Sequence, residues 1–369
     1  MSLEVLLDVL FGFCQCSLRS SSVSTRHFFN EWGAVVMGRL NEYSQSRRAR
    51  QLLIDNSGKN ASAKIDEHIK LLSRAAWFGA VCWRLDTTTT ASIPILLEST
   101  CSTAEDEGLR AQPSALLSTE SKLWDKYARA EGSPSASSLQ FVEAAVPGTI
   151  DAFITQAWRC LDVSAPLRGE ASRLLASLSG PVQSCVFDPE RLRLGIHERC
   201  SAPAHEVARS LSQLATADSL AALVVLLREE LEQADHGSLE LGRELYTCLL
   251  LLSQSSAIRS WLPELTWYLG RYVFPLTENQ GVSIEISMDR VARQSRLLRE
   301  ASVFHEDNAT AEIPSYMAHQ LRDLFDLPEL EDVLGPTFKF HQDGSAKSRF
   351  LLMRNLSAER GLLRTAEAL

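Results

Sequence analysis

Two cysteines and two histidines cluster mid-chain as Cys185, His197, Cys200 and His205, a Cys-x11-His-x2-Cys-x4-His spacing. Thiolate and imidazole suit zinc, and four such donors complete a tetrahedral structural site. A metal there would staple residues 181–203, which the sequence leaves irregular, because binding free energy becomes folding free energy. The spacing lacks the tight Cys-x2-Cys or His-x3-His pair of standard sites. The competing reading packs Cys185 in the interior and leaves His197 and His205 solvated. No cofactor is therefore assigned, and zinc stands as the alternative.

His205-Glu206 and His305-Glu306-Asp307 place carboxylates beside imidazoles, which could orient a general base. Sequence neighbours point in different directions, and neither pair has a histidine at i+4 to share one helical face. Helix-end surface residues are the simpler reading. Arg290, Arg293, Arg296 and Arg299 recur every third residue on one expected helix. Steps of three fan them across half of its circumference, so they form either a docking face for an acidic partner or a solvated face. Val291, Leu298 and Ala301 remain for the core as a thin stripe that Gln294 interrupts. Trp261 and Trp267, six apart, cannot both face one core at helical spacing, so one of them is expected as an exposed interface anchor. The chain has no Gly-x-Ser-x-Gly elbow and no Gly-x-Gly-x-x-Gly turn, and Asn60 follows Gly58-Lys59 where a phosphate loop needs Ser or Thr.

The elements that would carry these residues are mostly helices. Helical stripes recur over residues 203–276. Asp218 is expected to cap a helix whose face is Leu220, Leu223, Val224, Leu227 and Leu231. A second starts near Ser238 with Leu241, Leu245, Cys248, Leu249 and Leu252, and a third near Ser255 with Ile258, Leu262, Leu265 and Leu269. Upstream, helices are expected over 3–16, 25–54 and 62–83, the last on Ile65, Ile69, Leu72, Ala76 and Ala80. A Ser/Thr-rich linker is expected over 87–112, then helices over 118–130, 142–161 and 166–178. Val282, Ile284 and Ile286 alternate with polar residues as a strand does, a helix follows over 289–303, and Asp343-Gly344 marks a hairpin between 337–342 and 349–353. The expected fold is mainly α, an irregular multi-helical bundle or short helical solenoid with a small C-terminal α+β appendage. Helix onsets repeat in pairs at about 37 residues, near the roughly 40 of two-helix solenoids. The domains read as 1–132 N-terminal helical, 139–276 leucine-rich array and 277–369 small α+β segment, with the clearest break at 132–138.

At 369 residues, the chain exceeds what one core comfortably organises, roughly 250–300 residues. With 45% hydrophobic and 22% charged residues it is neither disordered in composition nor membrane-like. The apolar run over 3–13 contains Glu4 and Asp8 and lacks a basic leader, so it reads as an amphipathic helix rather than a signal peptide, and no membrane span is expected. Eight dispersed cysteines indicate free thiols and an intracellular, cytoplasmic setting. The net charge of −9 divides as 0, −5 and −4 over residues 1–138, 139–276 and 277–369. An acidic second half disfavours nucleic acid.

The leading functional expectation is a helical scaffold or regulatory subunit that binds other proteins. The alternatives are an enzyme whose site is assembled from distant residues such as His197, His205, Glu206 and His305, or a zinc-stabilised helical module.

Overall fold

The computed structural model describes residues 61–103, 114–118, 122–164, 167–234, 237–302, 315–327 and 330–340, all within one compact unit, Leu52–Leu369. The helices expected over 3–16 and 25–54, the strand expected over 349–353 and the His305 cluster lie outside the described residues.

The first described helix, α1 (Ala61–Arg84), has two working faces. Ile65, Leu72 and Ala76 join the main core, whereas Trp77, Phe78 and Val81 join a second, smaller one. Residues 87–112 were expected to be linker, yet they carry α2 (Ile93–Thr103), because Ile93 and Leu97, four apart, are both fully buried in the second core. A separate short helix, α3 (Ser114–Leu117), comes next, and the helix expected over 118–130 is reduced to α4 (Leu123–Ala128). Trp124 of α4 stacks on Trp77 at 6.0 Å, meets Tyr127 edge-on at 5.6 Å and donates its indole N–H to the Leu116 carbonyl at 2.9 Å. Ser135 caps α5 (Ala136–Ala145), and Gly148 at φ +85° turns the chain into α6 (Ile150–Ile154) and α7 (Ala157–Leu161).

The turn at 167–170, expected as helix, is instead held by Glu232, whose carboxylate accepts the Leu167 and Arg168 amides, so α8 starts only at Ala171 (Ala171–Ala176). Gly180-Pro181 then opens a helix, α9 (Gly180–Val186), since proline at the first turn forfeits no helical hydrogen bond. With α10 (Pro189–Arg193), capped by the Asp188 carboxylate, two short helices occupy a segment expected to be irregular.

The main core is built on α11 (Ala204–Leu214), α12 (Ala217–Ala234) and α13 (Leu239–Leu252). Of the expected stripe, Leu220, Leu223, Val224 and Leu227 are buried and Leu231 is half-buried, but Ala221, Ala222, Val225 and Leu226 are buried too, so α12 is enclosed on every side over 220–227. Its cap is not Asp218. Thr216 and Ser219 satisfy each other's amides at 3.0 and 3.1 Å, while Asp218 accepts from the Ser179 amide at 2.9 Å. Ser238 caps α13 through the Leu241 amide, as expected, and all five stripe residues of α13 are buried.

The third leucine unit breaks. Pro263 cannot donate to the Arg259 carbonyl, so α14 (Ser256–Arg259) ends and α15 (Leu262–Tyr268) begins anew, continuing as a π-turn, Leu269–Val273, and a 3-10 turn, Phe274–Thr277. Strand β1 (Val282–Glu285) and α16 (Met288–Ser302) follow, then α17 (Ser315–Leu324), α18 (Glu331–Leu334) and β2 (Thr337–Phe340). β2 pairs antiparallel with β1, from Val282↔Phe340 to Glu285↔Thr337. The fold is thus mainly α-helical with a two-stranded antiparallel sheet near the C-terminus. α17 returns to pack on α11 and α13, with the pairs Arg209–Asp326 and Glu244–Arg322 spanning 117 and 78 residues, which is bundle packing rather than the nearest-neighbour stacking of a solenoid. No described helix is long and apolar enough to cross a membrane.

Candidate functional site

Between α9 and α11 the chain makes a loop that is closed at its base and exposed at its tip. Phe187 and Arg199 form an antiparallel bridge, flanked by Asp188 N–H to Glu198 O at 2.9 Å and Cys200 N–H to Val186 O at 3.1 Å. Within the loop the Leu194 and Ile196 amides donate to the Arg191 carbonyl at 3.0 Å each, and Gly195 takes the left-handed turn at φ +74°. Arg191 pairs with Glu198 at 3.2 Å, and Arg199 ties the base to Glu229 of α12 at 2.8 Å. The backbone is therefore bonded to itself, yet Leu194 is 71% exposed and Ile196 47%.

The four expected zinc ligands sit around this loop without converging. Among the described residues no three of His, Cys, Asp and Glu gather so as to hold a metal ion. The His197 ring lies edge-on to Phe187 at 5.1 Å, and His205 opens α11 half-buried. Cys185 and Cys200 do meet, with the Cys200 thiol donating to the Cys185 carbonyl at 3.7 Å. The base of the loop is joined by backbone hydrogen bonds.

The arginine series divides by depth. Arg290 donates to the Asp332 and Gly335 carbonyls at 3.2 and 2.9 Å, Arg293 and Arg296 are exposed, and Arg299 is half-buried. The interrupting Gln294 is itself core: it is 2% exposed, accepts from the Tyr246 hydroxyl and donates to the Val333 and Gly335 carbonyls. Neither tryptophan is an exposed anchor. Trp261 is buried edge-on to Trp158 at 5.8 Å, and half-buried Trp267 packs against His68 at 4.9 Å and Tyr272 at 5.9 Å. Trp261 precedes α15 as its N-cap instead of sharing its helical face, and both rings lie against α1, Trp261 beside Gly79 and Trp267 on His68.

Sequence reasoning missed two titratable groups whose side-chain polar atoms are buried and unpartnered. His68 of α1 is 4% exposed, with both ring nitrogens unpartnered between Trp267 and Tyr272. Burial pulls its pKa down from 6.5 to about 4, with Lys64 and Arg271 adding to the effect and Glu67 opposing it. Its signal was spacing, since His68 falls three residues after Ile65 and four before Leu72 on the buried stripe. Glu264, in the first turn of α15, has a buried, unpartnered Oε2, and burial pushes its pKa up to about 7. Its flanking Leu262 and Leu265 were the available clue.

No family model matches the chain, and comparison with curated proteins and with solved structures likewise gives no match.

Proposed function

We propose that the chain works by binding other proteins, as a scaffold or as a regulatory subunit of a larger assembly, with residues 188–199 as its principal contact. The supporting observation is the pairing of a self-bonded backbone with the exposed side chains of Leu194 and Ile196. Isolated exposed apolar residues are ordinary on protein surfaces. Two of them on one pre-ordered turn differ, because burying them in a partner would cost little additional ordering entropy. The ion pairs Arg191–Glu198 and Arg193–Glu190 surround the tip with charge of both signs, the polar rim expected of an apolar contact. The acidic balance of the chain fits a protein rather than a nucleic-acid partner, and the dispersed thiols fit an intracellular, cytoplasmic setting.

The test compares native-lysate capture by the wild type and by the Leu194→Asp/Ile196→Asp double variant, with light scattering for self-association. Both substituted positions are exposed, so the melting curve should be unchanged while the partners held by the wild type are lost. Identical partners on both forms, or no partner and a monomer, overturns the reading.

A further inference from the structure

Cys185 lies in the last turn of α9 and Cys200 directly follows the bridging residue Arg199, so the two cysteines stand on either side of the loop's neck. The backbone bond from Cys200 N–H to Val186 O holds the two segments together, and the Cys200 sulfur already lies 3.7 Å from a backbone atom of Cys185. Disulfides need closely apposed backbones, which this neck supplies. Both side chains are half-buried rather than sealed. Cys160 and Cys248, by contrast, are buried, and burial pushes the thiols of Cys82, Cys160 and Cys248 up to about 12, which withholds the reactive thiolate.

We propose that Cys185 and Cys200 form a reversible dithiol–disulfide site that locks the loop at its neck, with hydrogen peroxide as the oxidant. The Cys200 thiolate attacks one peroxide oxygen, the O–O bond breaks, and hydroxide leaves to be protonated to water, giving a sulfenic acid. The Cys185 sulfur then attacks the Cys200 sulfur, the S–O bond breaks, and the second oxygen leaves as water with the Cys185 proton. Two thiols lose two electrons and peroxide gains them. Cys185 is the resolving partner because burial pushes its thiol up and a thiolate at Cys200 adds to that effect. A dithiol reductant reverses the step by exchange. The bond would close a loop of the chain that ends in Leu194 and Ile196, and it stands whether or not that tip binds a partner.

Reduced full-length protein is treated with peroxide, its remaining thiols are blocked with N-ethylmaleimide, and its tryptic peptides are mapped without reduction. Arg191 and Arg193 lie between the two cysteines, so trypsin separates them and only a disulfide rejoins the peptides. The expected result is a Cys185–Cys200 cross-linked pair that dithiothreitol removes, formed at a rate independent of protein concentration, with a higher melting midpoint in the oxidised form. Cys185→Ser should instead leave a sulfenic acid at Cys200 that dimedone traps. Recovery of both thiols as maleimide adducts, separate over-oxidation of each, or linkage to other cysteines overturns the proposal; the mapping needs only the wild-type fold.

Discussion

Acidification from pH 7.5 to 5 should set two buried groups against each other. His68 has its pKa lowered from 6.5 to about 4 in the folded protein, so between those values the unfolded chain binds the extra proton and stability falls as pH falls. Glu264 has its pKa raised from 4.5 to about 7, so between those values the folded protein holds the extra proton and stability rises as pH falls. At ~1.4 kcal/mol per pKa unit, each group alone would change stability by about 2 kcal/mol between pH 7.5 and 5, in opposite directions. Their sum nearly vanishes, and single substitutions unmask each part. His68→Phe, which keeps a ring between Trp267 and Tyr272, should gain about 2 kcal/mol relative to the wild type on going from pH 7.5 to 5. Glu264→Gln should lose about as much of its advantage over the same interval. Urea unfolding followed by tryptophan fluorescence at pH 5, 6, 7 and 7.5 measures both, and the variant-minus-wild-type differences cancel the other carboxylates. A difference for His68→Phe that stays constant across this range would refute the reasoning, because it would mean that the imidazole reaches water or a partner when protonated.

Two further outcomes test the packing. A side-chain carbon at Gly242 would stand 2.6 Å from Thr277 Cγ2 and 2.8 Å from Ile284 Cδ1, so Gly242→Val should destabilise by roughly 1–3 kcal/mol in urea unfolding as α13 is pushed off β1. Arg322 is 5% exposed and pairs at 2.8 Å with Glu244, itself 15% exposed, and at 2.8 Å with Asp326; Arg322→Ala leaves the half-buried Glu244 carboxylate without its cation and should cost about 3 kcal/mol. Arg209→Ala, which removes an exposed pair with Asp326, the carboxylate Arg322 also contacts, should cost under about 1 kcal/mol.

What the sequence made legible was periodicity reinforced by a cap. α13 follows its expected cap and stripe because Ser238 precedes a run of leucines with no proline inside it. α1 and α16 likewise follow their expected spans within a residue or two. The alternation at Val282 and Ile284 marked β1, but its partner β2 lies more than fifty residues on, and no local pattern links the two. Failures came where a local signal had two readings. Pro263 sits inside an apolar period and still restarts the helix, Gly180-Pro181 can end one helix or open the next, and Asp218 resembles a cap although its carboxylate is committed to Ser179, 39 residues away.

The same ambiguity governs the loop around residue 190. The Cys185, His197, Cys200 and His205 spacing reports only that four potential ligands share a segment, whereas coordination requires all four donor atoms to converge on one point. Among the described residues no three potential ligands gather; the His197 ring packs edge-on to Phe187, while the Cys200 N–H bond to Val186 joins only the two cysteine-bearing segments. What remains of the set is the thiol pair, because the hydrogen bonds that draw the base of the loop together bring the cysteines with it. The exposed Leu194 and Ile196 gave no comparable warning, since an apolar residue two positions from another reads equally well as buried strand until the turn at Gly195 is known.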